Sequence, residues 1–152
     1  MLELILGPMF SGKTTTLLTR KVGKTLIINH SFDTRGDGVK THDGVEEAAM
    51  KCSVLPNVSD YDTVLIDEAQ FFDSLDGIED IAPNVVVAGL SGDYLRKPFG
   101  KILELIPKAD KVTFLSAVCG CGAPAPFTKR ISNEEYLISV ESIYQPKCRK
   151  CY

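Results

Sequence analysis

The run Gly7-Pro8-Met9-Phe10-Ser11-Gly12-Lys13-Thr14 sets two glycines, a lysine and a threonine at the spacing G-x-x-x-x-G-K-S/T. At that spacing the glycines let the backbone wrap closely around a phosphate, with successive N–H groups aimed at the β-phosphate. Lys13 brings a cation to the β- and γ-oxygens, and Thr14 offers a hydroxyl to the magnesium ion bridging them. A helix opening at this point adds the positive end of its dipole. A chance Gly/Ser turn would give similar letters. Here the apolar run Leu2-Glu3-Leu4-Ile5-Leu6 precedes the motif and a helical stretch follows, the context a phosphate loop requires. The stretch is therefore expected to bind a nucleoside triphosphate.

A second group of reactive residues sits at Asp67-Glu68, directly after the apolar Val64-Leu65-Ile66. Paired with a phosphate loop, the first acid completes a magnesium shell and the second can act as a base. Glu68 would then take a proton from a hydroxyl in a kinase or from water in an ATPase. A solvated acidic strand end is the bland alternative. Phosphoryl transfer also needs positive charge on the equatorial oxygens. Arg35, Arg96, Lys97, Lys129 and Arg130 are candidates for that, and each could equally be a surface charge. Phe71, Phe72, Tyr94, Phe99 and Tyr144 would by default pack a core. Several lie on loops that follow strand tips, which suits a flat, stacked ligand.

Of five cysteines, Cys119, Cys121, Cys148 and Cys151 fall in two close pairs near the end of the sequence. In a reducing compartment such pairs read as a structural zinc site before they read as disulfides. The first pair is C-x-C, one residue short of the usual knuckle. No open coordination position with a nearby base is evident, so no catalytic zinc is assigned. Cys52 reads as a packed thiol, and His30 and His42 lack metal spacing.

These residues must be positioned by a fold. The 152 residues, 44% hydrophobic and 24% charged, suit one soluble domain with a small appendage. A net charge of -3 offers no electrostatic argument for nucleic acid or an anionic membrane. No apolar run approaches the roughly 20 residues of a membrane-spanning helix. The phosphate loop at Gly7 leaves no room for a signal peptide, so a cytoplasmic location is expected. Apolar runs at 25–29, 63–66, 85–90 and 111–115 read as buried strands. Residues 15–22, 73–81 and 99–108 read as helices, and 30–51 as a long loop or β-excursion. Alternating strands and helices give an α/β fold with a mostly parallel sheet flanked by helices. Beyond Ala117 the composition turns to Cys, Gly and Pro, so residues 1–116 are expected to form the phosphate-loop domain and 117–152 a small zinc-binding module.

Taken together, the motifs resemble those of the type II thymidine kinases, a group of cellular, bacterial, poxviral and phage enzymes. Gly7 to Thr14 matches that family's loop, Pro8-Met9-Phe10 included. Asp33-Thr34-Arg35, Thr41-His42-Asp43, Asp67-Glu68-Ala69-Gln70-Phe71-Phe72 and Arg96-Lys97-Pro98-Phe99-Gly100 match further motifs in order. Thr128-Lys129-Arg130 and Cys148-Arg149-Lys150-Cys151-Tyr152 complete the set from end to end. The resemblance implies transfer of the γ-phosphate of ATP to the 5′-hydroxyl of thymidine, giving dTMP in nucleotide salvage for DNA synthesis. It implies a P-loop, RecA-like sheet with a zinc-ribbon-like module carrying a lasso loop between Lys129 and Tyr144. It makes Glu68 the proton acceptor, with Lys13 and Arg35 assisting. Asp33, Thr34, Arg35, Asp67 and Gln70 join Gly7–Thr14 around ATP, with Thr14 and Asp67 serving Mg2+. Phe71, Leu90, Tyr94, Phe99, Thr128, Ile138, Ser139 and Tyr144 fall to thymidine, and Cys119, Cys121, Cys148 and Cys151 to structural Zn2+. Members are typically homotetramers inhibited by dTTP.

The sequence departs from the family pattern in a short first helix, the C-x-C pair, Ser91 in place of a frequent acid, and Ile138-Ser139-Val140 in place of an apolar residue and Gly-Gly. Two other classes share parts of this reading. A P-loop ATPase or nucleic-acid motor is opposed by the short length, the acidic balance and the missing basic tract. A zinc-ribbon binding module would leave Lys13, Thr14, Asp67 and Glu68 without a purpose.

Overall fold

Strands that are apolar at nearly every position need cover on both faces, which parallel sheets receive from their crossover connections. The computed structural model, which describes residues 1–32, 38–41, 44, 46–132 and 143–152, has that arrangement. Six strands, β1 (Leu2–Gly7), β2 (Thr25–His30), β5 (Met50–Cys52), β6 (Thr63–Asp67), β7 (Asn84–Leu90) and β8 (Lys111–Phe114), form one sheet in the order β5-β2-β6-β7-β1-β8. Every pairing in it is parallel. The remaining described strands are β3 (Gly38–Lys40) and β4 (Glu46–Ala48), a hairpin, and two short antiparallel pairs. These are β9 (Ala117–Val118) with β10 (Pro124–Ala125), and β11 (Phe127–Arg130) with β12 (Tyr144–Lys147).

The sheet's two faces divide by residue parity. Leu2, Leu4, Leu6, Ile28, Val64, Ile66, Val85 and Val87 point to one face and pack with Phe72, Leu75, Ile78, Ile102 and Leu105. Ile5, Ile27, Leu65, Val86 and Ala88 point to the other, against Leu17 of helix α1 (Lys13–Leu18) and Val39 of the hairpin. Among the described residues helices are few, and two of the expected ones are corrected. Residues 73–81 contain only a 3-10 turn, Ile78–Asp80. The Ser74 hydroxyl donates to Asp76 at 2.9 Å and accepts from the Asp76 amide at 3.2 Å, a local alternative that competes with helix. Residues 99–108 form a 3-10 helix over Ile102–Lys108. Pro107 lacks an amide and would clash with the carbonyl four residues back in an α-helix. The three-residue period still buries Ile102 and Leu105 together and leaves Ile106 outside. The first helix stops at Leu18, short of Val22. Within 30–51 the β-excursion is present, and it also supplies the edge strand β5, which no periodicity announced.

One charge is held on the α1 side of this sheet. Glu3, in the middle of three paired strands, is 2% exposed and receives Arg20 through Nε and Nη2, with Lys111 Nζ at 3.3 Å. Burial alone would raise the Glu3 carboxyl, but Arg20 and Lys111 together hold it below its ordinary 4.5. Because the folded protein keeps Glu3 more acidic than the unfolded chain does, the contact adds stability above the ordinary pKa. That stability fades as pH falls through the folded value. Glu3→Gln is expected to lower the unfolding free energy at pH 7 by about 1–2 kcal/mol. In urea titrations the gap to the native sequence should close as pH drops below the carboxylate range; a gap independent of pH would count against the ion pair.

Candidate active site

The strand tips of β6, β7 and β1 are neighbours in the sheet, and ligands of open α/β sheets bind at this carboxyl edge. The phosphate loop leaves β1 at Gly7, where an added Cβ would meet the Leu115 carbonyl oxygen and Ser11 Oγ, each at 2.7 Å. Its turns are left-handed at Phe10 (φ 64°) and at Gly12 (φ 81°). Ser11 Oγ donates to the Pro8 carbonyl at 2.8 Å, and the buried Lys13 Nζ donates to the same oxygen at 2.6 Å. Outside the loop, the Met9 amide donates to Thr128 Oγ1 at 3.0 Å, so β11 braces the loop. The resemblance assigns Thr128 to the nucleoside; its hydroxyl accepts from the phosphate loop.

Thr14 and Asp67 meet. The Thr14 hydroxyl donates to Asp67 Oδ2 at 2.8 Å, joining residues 53 positions apart. Asp67 is 1% exposed. Burial first, and the adjacent Glu68 charge second, push its carboxyl up to about 7, while Thr14 and Lys13 pull the other way. A buried carboxylate beside a hydroxyl is an oxygen donor set that suits a hard divalent cation, whose charge would favour the ionised form. Glu68 follows in the left-handed region (φ 53°, ψ 41°), an uncommon conformation for a residue with a side chain. Its amide donates to Asp67 Oδ1 at 3.0 Å.

Gln70, 3% exposed, is fixed at both ends of its amide. Nε2 donates to Glu68 Oε2 at 2.6 Å, and Oε1 accepts from the Leu90 amide at 3.1 Å. Two glycines make room for it. A Cβ at Gly89 would lie 2.7 Å from Gln70 Oε1, and one at Gly100 would collide with the Gln70 carbonyl. The tip of β6 is thereby tied to the tip of β7.

Beside this carboxylate cluster lies an aromatic group. Phe71 packs edge-on to Phe99 at 5.6 Å and to Phe32 at 5.8 Å, with the His30 ring 5.8 Å away. His30, at the tip of β2, was missed by motif reasoning; burial lowers its pKa, and its Nδ1 accepts from the Phe32 amide at 3.0 Å. The available signal was an apolar strand ending in polar Asn29-His30, in register with β6. Phe72 is core. Leu90, half-buried, ends β7. Three of the cations offered for phosphate chemistry engage rings instead. Arg96 lies 4.1 Å from the Tyr152 centroid, Arg130 lies 4.1 Å from that of Tyr94, and Lys129 lies 5.9 Å from that of Tyr152. Arg130 Nη2 also donates to the Tyr144 hydroxyl at 3.2 Å. Asp33, Thr34, Arg35, Ile138 and Ser139, with most of the expected lasso, lie outside the described residues.

The four late cysteines converge. The sulfurs of Cys119, Cys121, Cys148 and Cys151 all lie within 4.8 Å of one another, and none is in a disulfide. Cys121 and Cys148 are 3.7 Å apart; tetrahedral Zn–S bonds of about 2.3 Å place sulfurs about 3.8 Å apart. Tight turns shape both pairs, with the Gly122 amide donating to the Cys119 carbonyl at 2.8 Å and the Cys151 amide to the Cys148 carbonyl at 3.1 Å. Amides of Cys121 and Cys148 bring Cys119 down to about 6, whereas Cys121, Cys148 and Cys119 push Cys151 up to about 12. Such crowding is relieved by a cation that neutralises the set, and the cluster fits zinc.

The thymidine kinase family profile matches residues 1–152. The thymidine kinase of vaccinia virus (strain Western Reserve) is 41% identical over 169 aligned positions, covering 99% of this chain and 96% of its own. Those of monkeypox virus and raccoon poxvirus are 41% and 42% identical over the same shares.

The Gln70 clamp has a measurable consequence for the fold. Gln70→Leu, similar in size, removes both amide bonds and is expected to lower the unfolding free energy by about 1–3 kcal/mol. Replacing the exposed Lys97 by alanine should stay within about 0.5 kcal/mol. Equal midpoints and slopes for the two variants in urea denaturation would show that the clamp contributes nothing to stability.

Proposed function

The chain belongs to the thymidine kinase family and acts as an ATP-using thymidine kinase, and from that premise we propose how its residues divide the work. The observation that carries the reading is the 2.8 Å bond between Thr14 of the phosphate loop and Asp67 of the β6 tip, with Glu68 as the next residue. It supports a reading in which a triphosphate-binding loop and a base share one sheet edge.

Gly7 to Thr14 hold the triphosphate through backbone amides, and Lys13 exchanges its bond to Pro8 for phosphate oxygens. Thr14 and Asp67 hold magnesium, which when bound spreads the charge of the β- and γ-phosphates. Glu68 accepts the proton of the 5′-hydroxyl of thymidine as that oxygen bonds to the γ-phosphorus. The bond from phosphorus to the β–γ bridging oxygen breaks, and ADP leaves. Arg35 adds charge to the transferring group. Gln70 keeps the Glu68 carboxylate aimed. Phe71 and Phe99 offer faces and edges to a flat base, with Leu90, Tyr94, Ile138, Ser139 and Tyr144 completing the nucleoside side. Thr128 serves both sides, since it braces Met9.

We divide the chain into a phosphate-loop domain, 1–116, and a zinc-binding module, 117–152, supported by the separate core of Ala117, Cys119, Ala125 and Cys148. Among the described residues no helix is long and apolar enough to cross a membrane. Cytoplasmic location, a homotetramer and inhibition by dTTP follow from the family resemblance and are part of the proposal.

Glu68→Gln should cut thymidine phosphorylation by about 100-fold or more while ATP affinity stays close to that of the native protein. A variant with full turnover in a coupled ADP-release assay would remove Glu68 from the base role. Elemental analysis after purification without chelator should find about one zinc per chain, as four thiolates bind one ion. Cys148→Ser should lower both zinc content and melting temperature; a metal-free native protein of unchanged stability would refute the zinc assignment.

A further inference from the structure

We propose that Tyr152 is a positioning residue that latches the loop following β7 to the cysteine knuckle. The Tyr152 amide donates to the Cys148 carbonyl at 3.0 Å, so the residue is anchored in the turn of the second cysteine pair. From there its hydroxyl donates to the Tyr94 carbonyl, crossing 58 positions of sequence. Its ring receives the Arg96 guanidinium at 4.1 Å and the edge of Phe127 at 5.8 Å. Lys129 Nζ donates to its carbonyl at 2.7 Å.

The receiving loop is built to be held. Asp93 Oδ1 accepts from the amides of Leu95 and Lys97 at 2.8 and 2.9 Å, and the Asp93 amide donates to the Lys97 carbonyl at 2.8 Å. That closed turn forces Arg96 into the left-handed region (φ 60°), a conformation that persists only where the surroundings over-determine it. The Tyr152 ring supplies that constraint from outside the loop. Arg96 is exposed, its amide donates to the Asp93 carbonyl at 3.0 Å within the turn, and its guanidinium is held from outside by the Tyr152 ring at 4.1 Å and the Phe127 ring at 5.4 Å. Three residues on, Phe99 meets Phe71, and Gly100 lies against the Gln70 carbonyl. A displacement at Tyr94–Arg96 is therefore handed to the aromatic group beside Glu68.

The effect on thymidine rests on the nucleoside placement proposed above, and two readouts separate the claims. Tyr152→Phe removes the hydroxyl and keeps the ring; Tyr152→Ala removes both. Hydrogen–deuterium exchange of the amides in residues 92–97 should quicken about five-fold in Tyr152→Phe, the worth of one hydrogen bond of about 1 kcal/mol, and more in Tyr152→Ala. Zinc content, measured alongside, should stay native in Tyr152→Phe. The KM for thymidine should rise by a similar factor with the KM for ATP unchanged. Faster exchange with an unchanged thymidine KM would support the latch and overturn the nucleoside placement. Native exchange in Tyr152→Phe, or quickening spread evenly over the whole chain, would overturn the latch.

Discussion

The structure depends on bringing a threonine hydroxyl from a loop after the first strand to a carboxylate buried at the tip of β6. Asp67 is 1% exposed and would in isolation resist ionisation. It is tolerated because Thr14, the Glu68 amide and the nearby Lys13 surround it with donors and positive charge. That arrangement requires β1 and β6 to be fixed relative to each other with β7 between them. The parallel register, Leu4 opposite Val87 and Val87 opposite Ile66, is what sets that distance. Each strand is apolar on both sides, so a slip of one residue would expose no polar face. Register is guarded instead by polar residues at defined points, such as Glu3 and Asp67.

Among the described residues, little of the sheet's cover is α-helix. One face is closed by segments that turn back on themselves, in which Phe72, Leu75, Ile78, Ile102 and Leu105 are the parts that penetrate. A 3-10 helix suits this role, since its period brings Ile102 and Leu105 to the same side within a short span. The same economy appears at Gln70. Its side-chain amide fits because Gly89 lacks a Cβ, its backbone carbonyl because Gly100 does, and the amide spans the gap between two strand tips.

The C-terminal segment is joined to the sheet domain by a different chemistry. Its contacts to the loop after β7 include stacked guanidinium groups and aromatic rings, Arg96 on Tyr152 and Arg130 on Tyr94, beside the hydrogen bond from the Tyr152 hydroxyl to the Tyr94 carbonyl. Such contacts are favourable at exposed sites, where an ion pair would be screened. They also account for cations that a reading of charge alone would send to the phosphates. The Met9 amide on Thr128 adds one direct tie to the phosphate loop.

The sequence by itself determined the phosphate loop, the acidic strand tip, the parallel α/β class and the four-cysteine cluster. Each of these is a short-range pattern whose chemistry follows from residue type and spacing. Periodicity also located five of the six main sheet strands to within a residue or two and missed the edge strand β5. It misjudged residues 73–81 and 99–108, because apolar spacing reports a buried face and not the hydrogen-bond period. Ser74 and Pro107 decided that period locally. Only the tertiary structure decided that His30 joins the aromatic group, that Thr128 braces Met9, and that Gln70 clamps Glu68 to the tip of β7. These are contacts between segments far apart in the chain, made possible by strand order, and no local pattern encodes which strand tips become neighbours.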